Sequence, residues 1–345
     1  MRLPAEWEKQ GFVQLTWPHE ETAWYELPKV LDCYVEVAKA IARYEPLLIV
    51  CRDIAECKAD MAARHYTPAP DIRFVEAPIN DTWARDHGAI SVFGDRGEKC
   101  IEDFVFNGWG LKFGADLDNQ ITRNIYRAGA FAEDVKYLDM RPFVLEGGSI
   151  DTDGAGTLMA TSECLCSLNR NEYLAQEEIE EQLKTAFGLE RILWVDHGGI
   201  AGDDTDSHID TLARFCSTTA IAYVAPPADT ADPHHDDLAA MQDELRGLRT
   251  ATGKPYDLIP LPMPDPVCDP DDGHRLPATY ANFLILNKAV LMPTYAQPDN
   301  DALAHRRLAQ AFPRKAIIDI DARTLVRQHG SIHCSAMQFP VGVMA

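Results

Sequence analysis

The chain has 345 residues, 46% of them hydrophobic, which is ample for a large buried core. Its 54 acidic and 32 basic residues leave a net charge of −22, a field that repels nucleic acid and anionic membrane and concentrates small cations. Nine scattered cysteines have neither the density nor the spacing of a disulfide framework or a zinc ribbon, so reduced thiols and a cytoplasmic location are expected. The start, "MRLPAEWEKQGF", has no apolar segment of the kind a secretion signal needs, and no apolar run is long enough for a membrane span.

In chain order, helical spacing of apolar residues predicts helices over 21–43, 118–132, 174–187 and 300–311. Short β-rich runs fall between them: "FVQLTW", "PLLIVC", "GAISVF", "GTLMAT", "RILWV", "TAIAYV", "NFLILNKAVLMPTY" and "KAIIDID". Alternation of the two kinds means an α/β protein. No low-complexity linker divides the chain, so residues 1–345 read as a single domain. The stretch 226–277, dense in Pro and Asp, reads as a long irregular surface excursion within it. Polar strand ends recur at Trp17, Asp86, Glu146, His208, Asn282 and Cys334, a loose repeat of roughly 50 to 75 residues. Repeats about an axis would bring such ends to one centre.

Four segments could carry chemistry. In "AGDDTDSHIDTLARF", a strand beginning at "SHID" would put His208 and Asp210 on one face, with Asp206 if it begins early, and Asp203 and Asp204 in the turn before. In "APINDTWARDHGAISVF", Asp86 either pairs with Arg85 or faces a cavity. In "LEGGSIDTDGAG", Glu146 precedes two glycines that permit close approach, and Asp153-Gly154 suits a hairpin turn better than a calcium loop. In "QHGSIHCSAMQFP", Cys334 stands among small residues near the end of the chain, and a thiol with an imidazole partner makes a nucleophile. Cys164 and Cys166 form a C-x-C with no second pair and read as structural.

Taken together, "NDTWARDHGAI", "FNGWGLKF", "LEGGSIDTDGAGTLMAT", "NRN", "GDDTDSHIDTLARF" and "GSIHC" resemble the agmatine deiminase and bacterial peptidylarginine deiminase family of the guanidine-modifying superfamily. The matching motifs run from Asn80 to Cys334. The resemblance implies a five-bladed α/β propeller (pentein) of ββαβ repeats, and a hydrolase that needs neither metal nor organic cofactor. It implies that Cys334 is the nucleophile and His208 the general acid/base, that Asp86 and Asp210 grip the guanidinium, and that Glu146 orients or charges His208. Two departures are visible: Ser207 and Ser331 stand where the family favours glycine.

The expected partner is a small guanidine cation. The charge of −22 and the acids Asp116, Asp118, Asp203 and Asp204 favour agmatine, whose far end is an amine, over arginine, whose carboxylate wants a base. Asp204 is a candidate for that amine, and Trp83, Trp109 and Trp17 are candidates to line its aliphatic part. Peptidyl-arginine, other guanidines, a metallohydrolase using Asp206, His208, Asp210 and Cys334, and a non-catalytic polyamine binder are the rival readings. The sequence leaves room for a homodimer.

Overall fold

The computed structural model describes residues 1–345. Its strands sort into five separate small sheets, and each follows one grammar. Two strands pair antiparallel, a helix crosses over, and a third strand returns parallel to the second. A short turn suffices for the antiparallel pair, whereas the parallel neighbour requires a longer crossover.

The first sheet holds Gln10–Thr16, Leu47–Cys51 and Ile72–Glu76, with Ala336–Pro340 at the edge beside Gln10–Thr16. The second holds Ile90–Phe93, Lys99–Val105 and Lys136–Val144; the third Ile150–Thr152, Thr157–Thr161 and Arg191–Val195. The fourth holds Ala213–Ser217, Ala220–Val224 and Asp257–Leu261; the fifth Leu284–Ile285, Ala289–Thr294 and Ala316–Asp321. The first sheet departs in two ways: Ile72–Glu76 adds a fourth strand, parallel to Leu47–Cys51, and the antiparallel pair joins strands from opposite ends of the sequence. There Phe12 stacks on Phe339 with ring centroids 4.4 Å apart, a contact worth about 0.5–1.5 kcal/mol beyond its buried area.

The crossover helices form for ordinary reasons. In Leu27–Ala42, the buried Val30, Tyr34, Val37, Ala38 and Ile41 make one apolar stripe, and Pro28 opens the first turn. Gln176–Phe187 carries Glu177 and Glu178 in its first turn and Lys184 in its last, and Gly188 ends it at φ 66°. A Cβ on Gly188 would lie 1.7 Å from the Met1 carbonyl oxygen, so no other residue fits. No helix is long and apolar enough to cross a membrane.

Several expectations need correction. The helix expected over 118–132 is a 3-10 turn at Asp118–Gln120 followed by a helix at Ile121–Arg127. The segment 226–277 is not simply irregular. It supplies the helix His235–Gly247 and the parallel strand Asp257–Leu261 of the fourth sheet, and only its later part runs without regular structure. The strand expected to begin at "SHID" begins instead at Ala213. Asp206 and Ser207 turn through left-handed φ of 63° and 62°, and Ile209–Thr211 is a 3-10 turn.

The recurring polar positions acquire a common address. Asp86, Glu146, His208, Asn282 and Cys334 each lie just ahead of the first antiparallel strand of a different sheet. Trp17 is the exception. It follows its strand, packs edge-on to Tyr34 and donates to Asp60 at 3.3 Å, and so belongs to the core.

Candidate active site

A cavity of about 190 Å³ opens beside Cys334, lined by Trp83, Asp86, Trp109, Phe113, Asp81, Asp204 and Thr211 among others. Its floor is built by backbone constraint. The Asn282 side-chain oxygen accepts the N–H groups of His333 and Cys334 at 3.0 and 3.3 Å, and its amide donates to the Cys334 sulfur at 3.2 Å. The Arg85 N–H donates to the Cys334 carbonyl at 3.0 Å, which ties the segment carrying Asp86 to the one carrying the thiol.

The two glycines after Glu146 let the walls meet. A Cβ on Gly147 would lie 2.2 Å from the Arg85 carbonyl oxygen. One on Gly148 would lie 2.7 Å from His208 Nδ1, 2.8 Å from Asp86 Oδ1 and 3.1 Å from Asp210 Oδ2, so these three groups surround one point. Gly330 has the same necessity, since a Cβ there would enter the Trp83 ring at 2.3 Å.

Asp86 is buried and accepts from Gly148 N–H at 3.0 Å and from Trp109 Nε1 at 3.0 Å. Burial first, and then the neighbouring acids Asp210 and Glu146, push its carboxyl up to about 6, although His208 opposes them. Arg85 does not pair with it. That guanidinium turns towards the His333 carbonyl and the Met337 sulfur, so Asp86 is left to the cavity. Asp210 lies 3.9 Å from the Cys334 sulfur through Oδ2, while its buried Oδ1 has no partner.

His208 stands 3.7 Å from Asp86 and 4.0 Å from Glu146, with neither ring nitrogen in a hydrogen bond. Burial alone would lower its proton affinity. Asp86 first, then Cys164 and Glu146, outweigh burial and lift it to about 10, which favours the imidazolium. Glu146 in turn is clasped by Arg170 at 2.9 and 3.1 Å, both side chains being fully buried. Cys164, expected to be structural, is buried with its sulfur within 4.8 Å of ligand atoms of both His208 and Glu146. Burial foremost, then Asp210 and Asp86, push the Cys334 thiol well above its ordinary value.

Of the acids expected near the rim, only Asp204 lines the cavity. Asp203 accepts from Thr205 and Ser207 within its own turn. Asp118 accepts the N–H groups of Asn80 and Asp81, and Asp116 accepts from the Asn80 amide. Asp206 spends its oxygens on Lys112 and Arg170, each at 2.6 Å, so the metal set of Asp206, His208, Asp210 and Cys334 does not assemble. Asp81, which the sequence did not single out, lines the cavity beside Asp204, and burial pushes each of the two up to about 6. Arg170, Asn282, His333 and Glu6 were also missed as supports. Asn282 left a signal as a member of the repeating strand ends, Arg170 and His333 lay inside the motifs "NRN" and "GSIHC", and Glu6 left none.

With this geometry established, known proteins can be compared. The profile of the Porphyromonas-type peptidyl-arginine deiminase family matches residues 2–340. The chain belongs to this family. Within its reach, agmatine deiminase from Stutzerimonas stutzeri is 33% identical over 98% of this chain and 95% of its own. A cysteine-to-serine variant of C. jejuni agmatine deiminase, solved with substrate bound, superposes with a TM-score of 0.89 at 37% identity, covering 99% and 97% of the two chains. A candidate arginine deiminase from Porphyromonas gingivalis superposes with a TM-score of 0.92 at 48% identity, covering 99% of each chain. Dimethylarginine dimethylaminohydrolase, at 12% identity and a TM-score of 0.53, shares the fold.

Proposed function

We propose that this family member is an agmatine deiminase, hydrolysing agmatine to N-carbamoylputrescine and ammonia. The reading is carried by one arrangement: a buried thiol 3.9 Å from Asp210, on a cavity that Asp86 also lines, with His208 3.7 Å from Asp86. A guanidinium is planar, always charged and offers its donors as a fork, so each carboxylate can hold one edge and leave the central carbon open to sulfur. The unpartnered Oδ1 of Asp210 supports that role. The relatives named as agmatine deiminases support it too. We further infer that the five like sheets close around one axis as a five-bladed propeller, acting in the cytoplasm. The seam between chain ends and the common address of the five site residues support closure.

Chemistry proceeds in two halves. The cation offsets the acids that hold the thiol proton, the proton leaves to solvent, and the thiolate bonds to the guanidinium carbon. His208 gives its proton to one amino nitrogen, the C–N bond breaks and ammonia departs, leaving a thiouronium on Cys334. The neutral imidazole then takes a proton from water as the oxygen bonds to carbon. The C–S bond breaks, the thiolate returns, and the hydroxyl proton leaves to solvent, where the released ammonia becomes ammonium. Held geometry supplies several kcal/mol of the barrier reduction.

For the far end of the substrate, Asp81 and Asp204 favour an amine. Arg327, the guanidinium lining the cavity, is engaged by Glu26, Asp269 and Asp271 at 3.0, 3.2 and 2.8 Å, so it offers little to a carboxylate. Agmatine, free arginine and a blocked arginyl peptide, assayed side by side for ureido product, test the choice. Agmatine should dominate, and equal or faster turnover of either rival overturns it.

A further inference from the structure

Next to Asp210 lies a buried chain of charge that the chemistry above does not use, and Glu6, Arg85, Asp151 and His333 of this chain line a second, small cavity of about 60 Å³. His333 directs Nδ1 at Asp210 Oδ2, 2.7 Å away, and Nε2 at Glu6 Oε2, 2.8 Å away. Glu6 comes from the opening segment of the chain. It also accepts from Arg214 Nη2 and from the Ile285 N–H at 2.6 Å. Arg214 in turn donates to Asp151 at 3.3 Å and to the Phe283 carbonyl at 2.8 Å. All six groups, counting Arg85 beside Glu6, are buried.

Two accounts of this chain agree. A neutral imidazole carries one N–H and one lone pair, so a lone pair would have to face one of the two carboxylates. Charge points the same way: three acids (Glu6, Asp151, Asp210) stand with two arginines (Arg85, Arg214), and a doubly protonated His333 brings this set level. Unpaired charge at such depth is costly.

We propose that His333, backed by Glu6, is a positioning residue. As a doubly protonated ring it pins Oδ2 of Asp210, fixes the carboxylate plane, and turns the free Oδ1 towards the guanidinium. This rests on reading Cys334 and Asp210 as the reacting site. Around Asp210 stand His333, His208, Asp86, Arg214 and the Cys334 thiol; around His333 stand Asp210 and Glu6, with Arg85 and Arg214 beyond. Burial alone would raise Asp210, but the His333 hydrogen bond and charge outweigh it and hold the carboxyl below its usual range. Asp210 thus stays an anion where Asp86 begins to take up protons.

The test has a part that needs no substrate. In ¹⁵N-histidine spectra of the full chain at pH 7–8, the ring missing from His333→Gln should show N–H on both nitrogens; a single N–H overturns the proposal, whatever the enzyme acts on. In kinetics, His333→Gln should raise KM for agmatine about 10- to 100-fold, the size expected for losing a hydrogen bond to a charged group, with kcat changing about threefold at most. An unchanged KM also overturns it. Should that variant not fold, Glu6→Gln should strip the second ring N–H and raise KM several-fold, and a wild-type spectrum and KM in Glu6→Gln would refute the relay. A chain that shows both ring protons but makes no ureido product from agmatine would sink the substrate reading and leave the proton count standing.

Discussion

Asp86 and Asp210 converge on one point beside Gly148, both almost wholly buried, yet they hold protons in opposite ways. Asp86 hydrogen-bonds only neutral donors, the Trp109 indole and the Gly148 N–H, and the His208 ring 3.7 Å away makes no hydrogen bond to it, so burial and the neighbouring acids prevail and its carboxyl rises to about 6. Asp210 backs onto an imidazole and an arginine, and its carboxyl falls. Depth is the same on both walls, so the partner decides the sign. One wall is prepared to lose charge when empty, and the other keeps it.

The bluntest way to break the comparison is to remove what both walls serve. Cys334→Ala should lower kcat by at least ~10⁴-fold while agmatine still binds, measured by calorimetry. Comparable residual turnover would mean that neither wall positions a nucleophile.

Asp86→Asn and Asp210→Asn should each cost about 10²-fold in kcat/KM, but they should differ in pH profile. The wild-type profile should fall below about pH 6 as Asp86 gains its proton, and Asp86→Asn should soften that limb more than Asp210→Asn does. The stability sign follows. The Asp86 carboxyl is raised from 3.8 to about 6, so its contribution is fully present below 3.8 and is lost as pH rises through about 6. A guanidinium ligand restores that loss. Its rise in Tm should therefore be larger at pH 7.5 than at pH 5, and an equal rise at both would refute the assignment.

A gentler sharpening concerns the outer cavity. Asp204→Asn should raise KM for agmatine about tenfold and leave a guanidine with an uncharged tail nearly unchanged. Equal effects on both would remove the amine from that end.

The smallest effect belongs to Ser207→Gly. Serine at φ 62° costs about 1–3 kcal/mol, but its hydroxyl donates to Glu163 at 2.9 Å, worth about 1 kcal/mol. Near-cancellation predicts a Tm shift of only a few degrees at most.

What the sequence disclosed follows the same division. Strands buried on both faces, such as "LLIVC" and "TLMAT", were readable from unbroken apolar runs. Lys136–Val144 and Asp257–Leu261 lie at sheet edges with largely accessible side chains, so their letters resemble loop. His208 and Asp210 were found from a local cluster, but a strand was the wrong reason; a 3-10 turn after two left-handed residues aims them. Asp86, Glu146 and Cys334 were legible because motif and strand start coincide. Glu6 was not, since nothing near it hints that it meets a ring 327 positions away.

The seam between Gln10–Thr16 and Ala336–Pro340 also sets a clock. The sulfur precedes the closing strand by a single residue, so the warhead is seated only once Ala336–Pro340 has paired with Gln10–Thr16. Until that pairing forms the thiol stays chemically idle, and prising the strand away would disarm the enzyme without touching any residue of its cavity.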